Sequence, residues 1–158
     1  MQEFNLSNLS YRFPTDDACL EEIKRLRYPQ GINCLNCKKI TKHYKISGRT
    51  AYSCEYCRNQ VYPLSGTIFD KTTTPLRTWF YAMFLMTHSW GKISAKKLQK
   101  ELGVTYKTAW RMNRDIQILM IQHNADLLSE SKKLFSWKLF NAFEFKVVSK
   151  KKFMNENQ

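Results

Sequence analysis

Cys34-Leu35-Asn36-Cys37 and Cys54-Glu55-Tyr56-Cys57 frame sixteen intervening residues, and the fold turns on how these two CxxC pairs are read. A CxxC turn brings two thiols to one side of a tight knuckle. Two facing knuckles then offer four sulfurs at the corners of a tetrahedron, the geometry of a closed structural zinc site. The spacing is that of a zinc ribbon, with Cys34, Cys37, Cys54 and Cys57 as ligands. Between the knuckles, residues 42–46 and 50–53 carry β-branched and aromatic side chains on either side of Ser47-Gly48, which predicts a hairpin. A third strand is expected near 60–62. So small a core leans on its metal: structural zinc contributes ~10 kcal/mol or more in small peptides at neutral pH, and without it this segment is expected to be disordered.

Other uses of these cysteines fit less well. A disulfide framework needs an oxidising compartment, and the start Met1-Gln2-Glu3-Phe4-Asn5-Leu6 does not resemble a secretory signal. A redox CxxC belongs in a βαβ context, which is not apparent here. Iron in a rubredoxin-like four-thiolate centre stays open beside zinc.

Composition sets the partner class. A length of 158 residues allows one medium domain or two small ones, and a hydrophobic fraction of 43% is that of a folded protein. Against 13 acidic residues stand 26 Lys and Arg, a net charge of +13, with a pI near 9.6. Such an excess calls for a polyanion, nucleic acid first and a membrane surface second. The longest apolar run, residues 79–86, is far shorter than a membrane span. The protein is therefore expected to be soluble, cytoplasmic and nucleoid-associated.

Along the chain, the first dozen residues are expected to pack late or stay mobile. Thr15 can cap a helix whose first turn holds Asp16 and Asp17, and Cys19, Ile23 and Leu26 recur on its buried stripe. Cys19 reads as a core thiol rather than a fifth ligand. In the ribbon, Lys38, Lys39, Lys42, Lys45, Arg49 and Arg58 face a single acid, Glu55, and alternate with Tyr44, Tyr52 and Tyr56. Such residues can touch phosphate and stack on bases, and Lys42, Lys45 and Arg49 are candidate DNA contacts. The plainer reading is a solvated face with core tyrosines. His43 reads as a surface residue.

Thr74-Pro75 should open a helix with a wide apolar face of Leu76, Trp79, Phe80, Met83, Phe84 and Thr87, ending near His88, a local cap. After Gly91, Ser94 can cap a short helix with Ala95, Leu98 and Leu102 inward. Gly103 supplies a turn, and Thr105 caps a second helix with Ala109, Met112, Ile116 and Leu119 on its buried face. This is the pattern of a helix-turn-helix. The second helix presents Tyr106, Lys107, Thr108, Trp110, Arg111 and Arg114, a set suited to the major groove, where arginine bonds guanine bidentately. Between residues 92 and 114 there are seven basic residues and one acid, Glu101. A run of charge is usually a solvated face; the turn and two caps favour DNA.

The two CxxC pairs, the following Leu64-Ser65-Gly66-Thr67-Ile68-Phe69, Trp79-Phe80, Ile93-Ser94-Ala95 and residues 102–110 together resemble bacterial insertion-sequence transposases with an N-terminal zinc ribbon and helix-turn-helix ahead of a DDE-type catalytic domain. The resemblance covers residues 13–120. It implies structural Zn2+ on the four cysteines, recognition of terminal inverted repeats by the ribbon and helical modules, and DNA contact by residues 106–114; the expected protein partner is an intact transposase or a second copy. A DDE centre needs acids to hold two magnesium ions, yet beyond Asp126 only Glu130, Glu144 and Glu156 occur. The chain thus reads as the recognition portion of a transposase, shortened or frameshifted near Leu128, with no catalytic residue assigned and no transposition expected by itself. A stand-alone transcriptional regulator is the alternative. The expected fold class is α+β: an N-terminal helix region (1–30), a small four-cysteine zinc ribbon (31–70), a helical bundle with the helix-turn-helix (71–123) and a tail (124–158).

Overall fold

The structure, a computed structural model, describes residues 5–89 and 91–127, with side chains as far as Ile121. Residues 128–158 of the expected tail lie outside the described residues. In chain order the elements are α1 (Leu6–Arg12), α2 (Asp16–Arg27), β1 (Ile32–Cys34), β2 (Lys39–Thr41), β3 (His43–Lys45), β4 (Tyr52–Cys54), β5 (Gln60–Val61), α3 (Leu76–His88), α4 (Ala95–Leu102) and α5 (Tyr106–Leu127). The fold class is α+β. Among the described residues, 17–72 form one compact unit and 5–16 with 73–127 form the other.

In the first of these units two small antiparallel sheets hold the knuckles. β1 and β2 pair Ile32 with Thr41 and Cys34 with Lys39, so the first knuckle is itself the turn of a hairpin. The sequence pattern did not reveal this hairpin, because three-residue strands are too short to display an alternation. The second sheet runs β3-β4-β5, close to the expected hairpin and third strand. Its register pairs His43 with Cys54, and Lys45 with Tyr52 and then Val61. Tyr52 and Cys54 are buried on one side of β4, and Ser53 between them faces the other way.

Helix α2 buries Cys19, Leu20 and Ile23. Cys19 is a core thiol, as its stripe position indicates. Side-chain links tie the helix to the sheet. The Tyr52 hydroxyl donates to Glu21 at 2.7 Å, Lys45 pairs with Asp17 at 3.0 Å, and the Lys24 ammonium lies 4.4 Å from the centre of the Tyr52 ring. At its far end Arg27 donates to the carbonyls of Pro63 and Ser65, both at 2.6 Å, anchoring the turns that carry buried Phe69.

The helical unit starts earlier than the sequence suggests. Residues 6–12 form a helix capped by Asn5, whose Oδ1 accepts from the Asn8 amide at 3.0 Å. Leu9 and Phe13 are buried, and the Phe13 ring meets Phe80 edge-on at 4.8 Å. One short apolar stripe on an otherwise polar segment is enough to dock it. On α3 the wide apolar face is buried as expected, and Ala82 and Met86 join it. Its cap differs from the expectation: Pro75 holds the N-cap position and offers no side-chain bond. Instead the Asp16 carboxylate accepts from the amides of Leu76 at 3.1 Å and Arg77 at 3.0 Å.

The next two helices follow their sequence signals closely. Ser94 Oγ accepts from the Lys97 amide at 3.2 Å, and Gly103, with φ of 65°, closes α4 by donating to Gln99 at 3.0 Å. Thr105 Oγ1 then accepts from the Thr108 amide at 3.3 Å to open α5. Ala109, Met112, Ile116 and Leu119 are buried, and the buried Asn113 amide donates to the Ile93 carbonyl at 2.9 Å.

Candidate metal centre and nucleic-acid interface

Each knuckle is closed by the same backbone device. The amide of the residue after the second cysteine returns to the carbonyl of the first, Lys38 to Cys34 at 2.8 Å and Arg58 to Cys54 at 3.2 Å. Both Lys38 (φ 53°) and Arg58 (φ 60°) occupy the left-handed region, where a side chain is strained by about 1 kcal/mol or more. Glycine would adopt it freely. No glycine marks these positions, so the CxxC spacing is what signals the turn.

The result is a compact set of sulfurs. The Sγ atoms of Cys34, Cys37, Cys54 and Cys57 all lie within 4.8 Å of one another, with Cys34 and Cys57 at 3.4 Å and Cys37 and Cys54 at 3.9 Å. A tetrahedral Zn2+ with bonds of about 2.3 Å needs sulfurs about 3.8 Å apart, so the donor set fits zinc in number, type and spacing. The cofactor is structural Zn2+. The surroundings prepare the thiols unequally. The backbone amide of Cys57, followed by the Thr41 hydroxyl 3.2 Å from Cys54 Sγ, draws the Cys54 thiol down to about 6. Cys57 is also lowered, first by the Asn59 amide. Cys37 is pushed up to about 12, first by its hydrogen bond with Cys57, then by burial and the remaining sulfurs.

Two side chains around the sulfurs escaped the sequence reading. Thr41 supports Cys54 only because β2 and β3 bring it there. His43, expected at the surface, is half-buried: Nδ1 is 3.0 Å from the Thr41 carbonyl oxygen, while Nε2 is buried with no hydrogen-bond partner. It is not a member of the sulfur cluster.

The basic residues divide by environment. On the ribbon, Lys42 and Arg49 are exposed, whereas Lys45 is half-buried in its ion pair with Asp17. On α5, Tyr106 (53% exposed), Lys107 and Trp110 (49%) project outward. Thr108 is half-buried beside Thr105, their hydroxyls 2.9 Å apart. The Arg111 guanidinium is 5.8 Å from the centre of the fully buried Trp79 ring. Arg114 lies over Trp110 at 5.1 Å and donates to Asp115 at 2.9 Å. Lys92, Lys96, Lys97 and Lys100 are all exposed. The tyrosines named for the ribbon separate too: Tyr44 and Tyr56 are exposed, and Tyr52 is in the core. Among the described residues no helix is long and apolar enough to cross a membrane.

Fold and site together define a protein with a four-thiolate zinc ribbon and a mainly helical second unit. Residues 14–60 match the family described as "Transposase zinc-ribbon domain". Over 103 residues the chain is 28% identical to the "Uncharacterized protein in transposable element ISH50" of Halobacterium salinarum, a match spanning 63% of this chain and 34% of that protein. The aligned chain thus spans about a third of that curated relative's length. No solved structure matches. The chain is transposase-related.

Proposed function

We propose that this chain binds double-stranded DNA sequence-specifically, as the recognition portion of a transposition system. In this reading α4 and α5 act as a helix-turn-helix, the N-terminal half of α5 enters the major groove, and Lys42 and Arg49 of the ribbon hold phosphates. The observation that carries the reading is the outward row of Tyr106, Lys107 and Trp110, opposite the buried Ala109 and Met112, on a helix that begins just after the left-handed turn at Gly103. The four exposed lysines between residues 92 and 100 supply the charge around it. Terminal inverted repeats of a mobile element are the proposed target, and a second copy or an intact transposase the proposed protein partner. The role assigned is binding in the cytoplasm, with no catalytic residue.

Selection of duplexes from a random pool by the zinc-loaded protein tests this directly. An enriched motif is expected, with affinity falling steeply as salt rises. Lys107→Ala should relax the motif at one position, and Lys42→Ala should weaken all sequences alike while lowering the salt slope by about 1. Lys107 is the better probe of base reading, since removing Arg111 also uncovers Trp79. A pool that emerges unenriched at low salt would overturn the proposal.

A further inference from the structure

On the ribbon sheet, the face turned away from Tyr52 and Cys54 carries aromatic groups that no packing requirement explains. The register lines up Tyr44, Ser53 and Gln60 across β3, β4 and β5. The hydroxyl of Tyr62, the residue after β5, donates to Gln60 Oε1 at 2.7 Å, which holds the Tyr62 ring beside that row. Tyr44 is 59% exposed and Tyr62 is 51% exposed. Lys42, two residues before Tyr44, and Arg58, two residues before Gln60, are exposed, and residues 38–58 contain six basic side chains against one acid.

We infer that this outer face of β3-β4-β5, centred on Tyr44 and Tyr62, is a stacking surface for single-stranded DNA. The preference for DNA rests on the function proposed above; the preference for a single strand rests on shape. A duplex hides its base faces in its own stack, and its major groove admits a helix or a two-stranded ribbon. Three strands spaced about 4.8 Å apart, with side chains added, are wider than that. Unpaired bases instead present faces on which tyrosines stack irrespective of sequence, while lysine and arginine follow the backbone. Ser53 and Gln60 offer hydrogen-bonding groups between the two rings. The two tyrosines and α5 belong to different units, so base stacking and groove reading fall to different elements.

The experiment uses the full zinc-loaded chain and a labelled thymidine oligomer read by anisotropy, with a duplex and an abasic strand of equal length in parallel. Stacking on an aromatic side chain is lost on truncation to alanine, so Tyr44→Ala and Tyr62→Ala should each weaken thymidine binding about tenfold. Tyr44→Phe should stay within about twofold of the wild type. Duplex affinity should change by less than about twofold in all three, and the abasic strand should bind weakly and be indifferent to Tyr44. Equal thymidine affinity in Tyr44→Ala and wild type, or an abasic strand bound as tightly as thymidine, would overturn the inference. A uridine RNA oligomer bound more tightly than thymidine would overturn the assignment to DNA. Loss of duplex selectivity with Tyr44-dependent thymidine binding intact would count against the proposed function alone.

Discussion

The Tyr52 hydroxyl joins sheet to helix in the ribbon unit, and its bond to Glu21 makes both groups report on pH. Burial alone would raise the Glu21 carboxyl, but hydrogen bonds from Lys24 and Tyr52 outweigh it and hold the group below its ordinary range. Burial, then the bond to Glu21, pushes the Tyr52 phenol up. The signs follow from linkage. The depressed Glu21 contributes stability that is present above its ordinary value and lost as pH falls through the lowered one. The raised Tyr52 contributes stability that is present below its ordinary value of about 10 and lost as pH rises through the higher one. Tyr52→Phe should therefore cost about 1 kcal/mol near neutrality, at the low end because Glu21 is well exposed and water can replace the donor. It should also flatten the alkaline limb, as urea midpoints measured from pH 7 to 11 would reveal. An unchanged alkaline slope would show that another group sets it. A second residue-scale prediction concerns Lys38: Lys38→Gly relieves the left-handed strain after the first knuckle and should stabilise the zinc-loaded protein by about 0.5–1 kcal/mol in thermal unfolding.

At the scale of elements, α3 depends on a residue sixty positions away. Its own N-cap position is Pro75, so the first amides of an otherwise apolar helix are satisfied by Asp16. Asp16→Ala should cost about 1 kcal/mol, while Asp16→Asn should lose less because its amide oxygen still accepts. Denaturant midpoints for the two variants test this, and equal losses would remove the capping role. The contrast shows what a sequence can disclose. Ser94, Gly103 and Thr105 mark helix ends through groups three or four residues away, and the stripe through Ala109, Met112 and Ile116 repeats within its own helix. The metal ligands are equally local, three residues apart within each pair. Asp16 gives no such sign, since its partners are distant in sequence. Nor do Tyr44 and Tyr52: which one is buried follows from strand register, and strands of three residues contain no alternation from which to read it. Among the described residues the buried apolar side chains that dock α1 are Leu9 and Phe13, too few to form a pattern.

For the whole molecule, the question is which part depends on the metal. The helical unit has apolar residues of its own in Trp79, Met83, Leu98, Met112 and Ile116, all essentially buried. The ribbon unit buries Cys34 and Cys54 themselves within short strands, and a cation is needed to hold their thiolates together. Chelation should therefore open the ribbon and leave most of the helical circular dichroism in place, while the tyrosine spectrum changes as Tyr52 meets water. Proton linkage sharpens the test. Cys54, drawn down to about 6, contributes stability that is present above the ordinary thiol range and lost as pH falls through about 6. Cys37, pushed up to about 12, keeps its proton at neutral pH until a metal displaces it. Zinc uptake near pH 7 should thus release protons, and affinity should rise from pH 6 to pH 8. Competition with a chromophoric chelator across that range measures the slope, and cobalt in place of zinc should give the intense bands of a four-thiolate tetrahedron. If the tyrosine spectrum of the chelated protein matched that of the loaded one, the ribbon would be standing on its apolar contacts alone, and the metal would have no structural role.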